Sequence, residues 1–103
     1  MKFGLCEETI GKICGVLSRH PSVEKAVLYG SRAKGTFKPG SDIDLSLYGT
    51  AITTSELGDI DSELDELLLP YTFDLLIFEK LNHVELREHI ERVGRLFYER
   101  GVV

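Results

Sequence analysis

Two aspartates one residue apart, Asp42 and Asp44, open the segment Asp42-Ile43-Asp44-Leu45-Ser46-Leu47-Tyr48. On a strand, alternate side chains share a face, so Asp42 and Asp44 point one way and Ile43, Leu45 and Leu47 the other. Two carboxylates whose Cα atoms lie about 6.5 Å apart along a strand suit one or two hard cations such as Mg²⁺. Mg²⁺ takes one or two carboxylates and completes its shell with waters and substrate phosphates. The stretch just upstream, Gly30-Ser31-Arg32-Ala33-Lys34-Gly35, offers partners for such phosphates. It joins a Gly-Ser turn to Arg32 and Lys34, with Lys38 beyond and no acid before Asp42. Glycine lets the backbone come close to a ligand, and consecutive backbone N–H groups with a hydroxyl can cradle an anion. The combination reads as a nucleotide site.

Six elements are expected to position it. A helix over about residues 7–19 carries Ile10, Ile13, Cys14 and Leu17 on one face, has acids in its first turn, and ends before Pro21. Residues 23–29 form a strand, apolar on both faces towards its end as in a central strand. Residues 31–34 form a short helical turn, residues 36–41 a loop through Pro39-Gly40, and the Asp-bearing segment the second strand. A second long helix is expected over about residues 55–69, with the stripe Leu57, Ile60, Leu64, Leu67 and Leu68, stopped by Pro70. A third strand covers residues 71–78. Asn82 then caps a last helix, with Glu85 placed as in a capping box, Leu86, Ile90 and Val93 on its apolar face, and a stop at Gly94. The closing Arg95-Leu96-Phe97-Tyr98 fits either a strand or a helix. The order predicts an α/β (α+β) fold: a small mixed β-sheet with helices packed on it, forming one domain over residues 1–103.

Composition narrows the class. A chain of 103 residues, 43% hydrophobic and 28% charged, has the make-up of an ordinary globular domain large enough for one core. It shows no apolar run long enough for a membrane span, and Glu7 and Glu8 break any signal-peptide pattern, so a cytoplasmic location is expected. The net charge of −5 argues against a broad nucleic-acid surface. Charge is nevertheless uneven: Arg32, Lys34 and Lys38 form a small positive loop, while Glu56, Asp59, Asp61, Glu63, Asp65 and Glu66 crowd the second long helix. A small positive pocket on an acidic body suits a compact polyanion. The acidic helix itself reads as a solvated face. Cys6 and Cys14, eight apart on the first helix, are too distant along its axis for a disulfide and read as buried, reduced thiols. His20, His83 and His89 lie scattered at helix ends and faces and read as structural.

In the third strand, Tyr71-Thr72-Phe73-Asp74-Leu75-Leu76-Ile77-Phe78, one aspartate interrupts an apolar run. An ionised carboxylate in a core is expensive unless paired or bound to metal. Asp74 therefore lies in solvent on an edge strand, pairs with a cation, or joins Asp42 and Asp44 on one face if this strand neighbours the second. The other parts have plain readings too: Gly30-Ser31 as a turn, the basic loop as solvated, Asp42 as a turn cap with Asp44 on an exposed strand face. Haloacid-dehalogenase-like phosphatases and some glycosyltransferases also use Asp-x-Asp, but at the end of an apolar strand, whereas Lys38-Pro39-Gly40-Ser41 precedes it here.

Gly30-Ser31, ten residues, then Asp42-Ile43-Asp44, with Asp74 on the next strand, resembles the signature of the DNA polymerase beta-like nucleotidyltransferase superfamily. The GSRAKG loop and the ending Ile90-Glu91-Arg92-Val93-Gly94 … Leu96-Phe97-Tyr98 are similar to its minimal nucleotidyltransferase (MNT, MntA-like) branch. The resemblance implies the polymerase beta-like nucleotidyltransferase fold. It implies that Gly30 and Ser31 bind the triphosphate, with Arg32 and Lys34 as charge partners. Asp42, Asp44 and Asp74 would be catalytic and hold two Mg²⁺ ions, Asp74 also helping to remove the acceptor's proton. It further implies transfer of AMP from ATP to a tyrosine of a partner HEPN-domain toxin, with this chain as antitoxin. Larger members carry an acceptor-binding domain for which too little chain follows Asp74, so the acceptor is expected to be another protein, a partner-supplied site, or a small molecule bound at a subunit interface of a homo- or hetero-oligomer. A different class stays open: a non-catalytic module that binds nucleotide or neutralises a toxin by contact. Intact Ser31, Asp42, Asp44 and Asp74 favour the enzyme.

Overall fold

The chain from Glu7 to Glu99 alternates between helices that bury one stripe and strands that bury one or both faces, and the helices close on the sheet from both sides. In the computed structural model, which describes residues 2–101, the helices are α1 (Glu7–Ser18), α2 (Ser31–Lys34), α3 (Thr54–Asp65) and α4 (Val84–Val93). The strands are β1 (Lys25–Tyr29), β2 (Ile43–Tyr48), β3 (Phe73–Ile77) and β4 (Arg95–Glu99), and a single 3₁₀ turn spans Phe78–Lys80. They form one sheet in the order β3-β2-β1-β4, with β1 antiparallel to β2 and β4, and β2 parallel to β3. A hairpin-like loop can join antiparallel strands, but a parallel pair needs a crossover, and α3 provides it between β2 and β3. The expected mixed sheet with packed helices is what is observed.

The core lies on one face. Ala26 and Leu28 of β1 and Ile43, Leu45 and Leu47 of β2 are fully buried with Ile13, Val16 and Leu17 of α1 and Ile60 and Leu64 of α3. α4 packs on the other face: its buried Ile90 stands outside that cluster, and Gly94 passes so close to Val27 that a Cβ there would collide with it and with the Ile90 carbonyl. The odd-numbered residues of β2 thus face the main core, and Asp44 faces the other way.

Several boundaries depart from the sequence expectation, each for a local reason. α3 ends at Asp65, not residue 69, because Leu68 turns into the left-handed region (φ 55°) ahead of Pro70. Leu68 is consequently 89% exposed and not part of the buried stripe. α4 is capped by His83 and not Asn82: the His83 Nδ1 accepts from the Leu86 N–H at 3.1 Å. Arg95–Glu99 is a strand because β1 has a second edge to fill, and β4 pairs there across a bulge at Ala26/Val27. In α1 the stripe includes Thr9 and Val16, while Cys14 is only half-buried and Cys6 is exposed at the cap position rather than buried within the helix. Both thiols are free.

His20, one of the three histidines read as structural, has concrete contacts. His20 sits between Glu56 (Nδ1 to Oε2, 3.0 Å) and Glu63 (Nε2 to Oε2, 2.7 Å), so it ties the end of α1 to α3. Ser22 donates to the same Glu56, and Arg19 bonds Glu63. Two of the six acids therefore hold α3 in place, leaving Asp59, Asp61, Asp65 and Glu66 as the exposed acidic face. Among the described residues no helix is long and apolar enough to cross a membrane.

Candidate active site

The parallel pairing of β2 with β3 determines the site. It sets Asp44 directly opposite Asp74, while the antiparallel pairing of β1 with β2 sets Tyr29 opposite Asp44. Cross-strand partners share a face, so Tyr29, Asp44 and Asp74 form one row across three strands. Asp42 precedes β2 by one residue and is exposed, Asp44 is half-buried, and Asp74 is exposed on an edge strand. Two of the readings left open for Asp74 are thus true together: it lies on an edge, and it joins the aspartates of the second strand.

Like charges brought together on a half-buried face disfavour ionisation. Burial, reinforced by Asp74 and Asp42 and opposed by Arg32, pushes the Asp44 carboxyl up to about 6. Burial and the carboxylates of Asp74 and Asp44 raise the Tyr29 hydroxyl far above its ordinary range, so it stays a neutral O–H. Its ring meets His89 of α4 edge to face, with centroids 6.3 Å apart. Tyr29 is a site residue that motif reasoning did not select, although its place directly before Gly30 was visible.

Gly30 leads from β1 into α2 with φ 76° and ψ −154°, a conformation that side-chain-bearing residues rarely adopt. An added Cβ would collide with the Asp44 Oδ2, with Asp44 Cγ at 3.2 Å. The glycine therefore brings its own backbone directly against the Asp44 carboxylate, with Ser31 next in the chain opening α2. Gly35, at φ 80°, closes α2 by donating to the Ser31 carbonyl.

Arg32 goes elsewhere. It is only 3% exposed, and its guanidinium donates through Nε (3.1 Å) and Nη2 (2.9 Å) to the Ser41 carbonyl and through Nη1 (2.9 Å) to the Phe3 carbonyl. The rings of Tyr71 and Phe37 flank it at 4.9 and 5.2 Å. Its hydrogen bonds thus anchor the residue before Asp42, while its charge still acts on Asp44. Lys34 is exposed and lines a cleft of about 330 Å³ with Ala33, Arg92, Val93, Gly94 and Arg95. Arg92 and Arg95 were not selected from sequence, because only the fold brings α4 and β4 beside α2.

Gly30, Ser31, Asp42, Asp44 and Asp74 are brought to one corner, Arg32 lies beneath it, and Lys34 opens on the adjoining cleft. Among the described residues no three His, Cys, Asp or Glu side chains converge closely enough to enclose one metal ion. A Mg²⁺ site does not require that, since one or two carboxylates with water and phosphate oxygens complete its shell. The carboxylate donors, and the raised Asp44 carboxyl that a cation would relieve, fit a hard divalent ion.

Comparison with known proteins agrees with this geometry. The family profile "Polymerase beta, Nucleotidyltransferase" matches residues 11–101. No curated protein sequence matches the chain. Among solved structures, the fold is similar to one in the crystal structure of a toxin–antitoxin with AMP-PNP, with TM-score 0.71 and 20% identity over 94% of this chain and 76% of the other. It is similar to one in the toxin–antitoxin MntA–HepT (0.69, 17%, 91% and 73%). It is also similar to one in the complex of a tri-AMPylated Shewanella oneidensis HEPN toxin with MNT antitoxin (0.68, 16%, 90% and 71%). At such identities the likeness speaks for the fold, while the profile, spanning nearly the whole chain, speaks for descent. The chain belongs to the polymerase beta nucleotidyltransferase family.

Proposed function

We propose that this protein is a Mg²⁺-dependent nucleotidyltransferase that moves AMP from ATP to a hydroxyl of a partner protein, a tyrosine of a HEPN toxin, and so acts as that toxin's antitoxin. The observation that carries the reading is the row Asp44–Asp74, with Asp42 beside it and the Gly30 backbone against Asp44. The fold neighbours from MntA–HepT and MNT–HEPN complexes supply the partner class.

Asp42 and Asp44 would hold the cations, two in number, with Asp74 completing one of the sites. Bound Mg²⁺ supplies charge neutralisation at the attacking and leaving oxygens of an in-line displacement. The chain's own residues do the rest. Ser31 binds a phosphate oxygen through its hydroxyl and backbone N–H, and Lys34, Arg92 and Arg95 offer positive charge to the polyphosphate from the adjoining cleft. Asp74, exposed beside Asp44, accepts the acceptor hydroxyl's proton. The acceptor oxygen forms its bond to the α-phosphorus as the bond from that phosphorus to the oxygen bridging to the β-phosphorus breaks, and pyrophosphate leaves. Arg32 holds the Asp42 loop and acts on nucleotide through that loop.

Calorimetric titration with ATP tests the site itself. Binding should need Mg²⁺ and should be lost on chelation, because three carboxylates facing a triphosphate repel it without a cation. Equal affinity in the presence of a chelator contradicts the metal assignment. The second reading, a module that neutralises its partner by contact alone, draws on the exposed acidic face of α3 formed by Asp59, Asp61, Asp65 and Glu66. It predicts neutralisation that survives the double variant Asp42→Asn, Asp44→Asn.

A further inference from the structure

We propose that the groove between α3 and the outer edge of β3 binds an extended, basic segment of the acceptor protein and delivers its hydroxyl to the carboxylate row; this rests on the transferase reading above. β3 ends the sheet, and among the described residues no element other than β2 hydrogen-bonds along Phe73–Ile77. An open strand edge offers a ladder of unpaired N–H and C=O groups, which natural folds usually guard with lysine, proline, a bulge or a cover. β3 has no proline or lysine, and its one charged residue is Asp74.

The edge is accompanied by a groove. Thr54, Leu57, Gly58 and Asp61, spaced along one side of α3, face Phe73, Asp74 and Leu75 across a cleft of about 380 Å³. Strand addition to such an edge gains affinity from main-chain hydrogen bonds and selectivity from pockets for alternate side chains. Here Leu57, Phe73 and Leu75 give an apolar floor. Gly58 keeps the wall low: a Cβ there would meet nothing within 4 Å, so the isolated fold gives no packing reason for glycine inside this helix. Gly11 and Gly15 of α1 share that freedom, so it is the placement of Gly58 opposite an open edge that matters.

Charge selects the occupant. Asp61 and Asp74 are in the lining, Asp59, Asp65 and Glu66 are exposed on and just after the same helix, and the lining holds no lysine or arginine. A cationic peptide segment is favoured over an acidic segment or a nucleic acid. Asp74 also connects the groove to the chemistry: it lines the cleft at the sheet edge and stands opposite Asp44 on the face away from α3, and a strand added along β3 presents alternate side chains to both faces. The nucleotide's phosphates would lie on the β1–β4 side of Asp44, towards Lys34, Arg92 and Arg95, and the acceptor on the β3 side.

The test uses the full chain and a HEPN protein as acceptor. Gly58→Gln fills the groove and Asp61→Arg reverses its charge, neither touching the carboxylate row. Each should raise the KM for the acceptor about tenfold or more while leaving kcat at saturation and the Mg²⁺-ATP affinity near wild type. In the wild-type complex, hydrogen exchange should slow at the outward-facing amides of β3. Wild-type KM in both variants, or β3 amides that gain no protection in the complex, overturns the proposal. So does sedimentation showing that the free chain already closes this edge by pairing with a second copy. Hydrogen exchange reads the groove whether or not AMP is transferred, so failure of the transferase reading is seen separately, as an unmodified acceptor.

Discussion

The two flanks of Asp44 differ in how completely the fold uses their polar groups. On the α2 flank, three donor nitrogens of Arg32 are committed to the Phe3 and Ser41 carbonyls, two aromatic rings flank its guanidinium, and Gly30 leaves no room for a Cβ. On the β3 flank, a strand edge is unpaired among the described residues, Asp74 is exposed, and Gly58 faces open space. The difference fits a site that must hold one ligand in fixed geometry and exchange another. Groups that present phosphate and metal ligands gain from being locked. A surface that receives a protein gains from unsatisfied hydrogen-bonding capacity.

The contrast breaks most sharply at Arg32. Arg32→Ala leaves two half-buried carbonyls without the guanidinium and frees the segment carrying Asp42. It should destabilise the fold by about 2–5 kcal/mol in denaturant unfolding and greatly reduce transfer. Arg32→Lys keeps the charge but not the forked donation to Ser41, and should recover only part of both.

Between the flanks, Asp44→Asn should separate stability from function. Because the folded-state pKa of Asp44 is raised to about 6, holding it ionised at neutral pH works against folding; this penalty is absent well below the unfolded pKa and grows as pH rises through the folded one. With discounting for its partial exposure, the variant without metal should be more stable at pH 8 by about 1–2 kcal/mol, with nearly all transfer lost. A metal-free variant no more stable than wild type at pH 8, by thermal or denaturant unfolding, contradicts the like-charge account.

On the open flank the expected effect is again stabilising, but smaller. Gly58→Ala should stabilise the free chain by about 0.5–1 kcal/mol, since helix propensity improves and nothing is displaced. A loss of stability would show that the groove is closed in solution.

The smallest effect lies away from both flanks, at His20. Burial disfavours its imidazolium, but the hydrogen bonds to Glu56 and Glu63 outweigh that and raise its pKa, while hydrogen bonds from Ser22 and His20 lower that of Glu56. The His20 contribution is fully present below its unfolded value near 6.5 and is lost as pH rises through the higher folded value. The Glu56 contribution is present above its unfolded value and is lost on acidification. The melting temperature should therefore decline as pH rises from about 6 to 8, by less in His20→Asn, with the competing Asp44 term removed by using an Asp44→Asn background for both.

Much of this was legible in the sequence because it depends on local pattern. The alternation around Asp42 and Asp44, the Gly-Ser turn before α2 and the apolar run holding Asp74 each state which way side chains point. What the pattern left open is long-range. That Asp74 stands opposite Asp44 follows from strand order, and whether Arg32 faces phosphate or turns inward depends on Phe3 and Tyr71, far away in the chain. Arg92 and Arg95 join Lys34 only through the fold. Cys6, Leu68 and Asn82 departed from expectation at helix ends, where a shift of one to four residues decides burial or capping.

The central claim is transfer to a protein by the Asp42–Asp44–Asp74 row. It is tested most directly by incubating this chain with ATP, Mg²⁺ and a HEPN-domain protein, and weighing that partner intact. The account predicts one or more added AMP groups on a tyrosine, absent when Asp42→Asn and Asp44→Asn are combined. An unmodified partner, or modification that persists in the double variant, contradicts it.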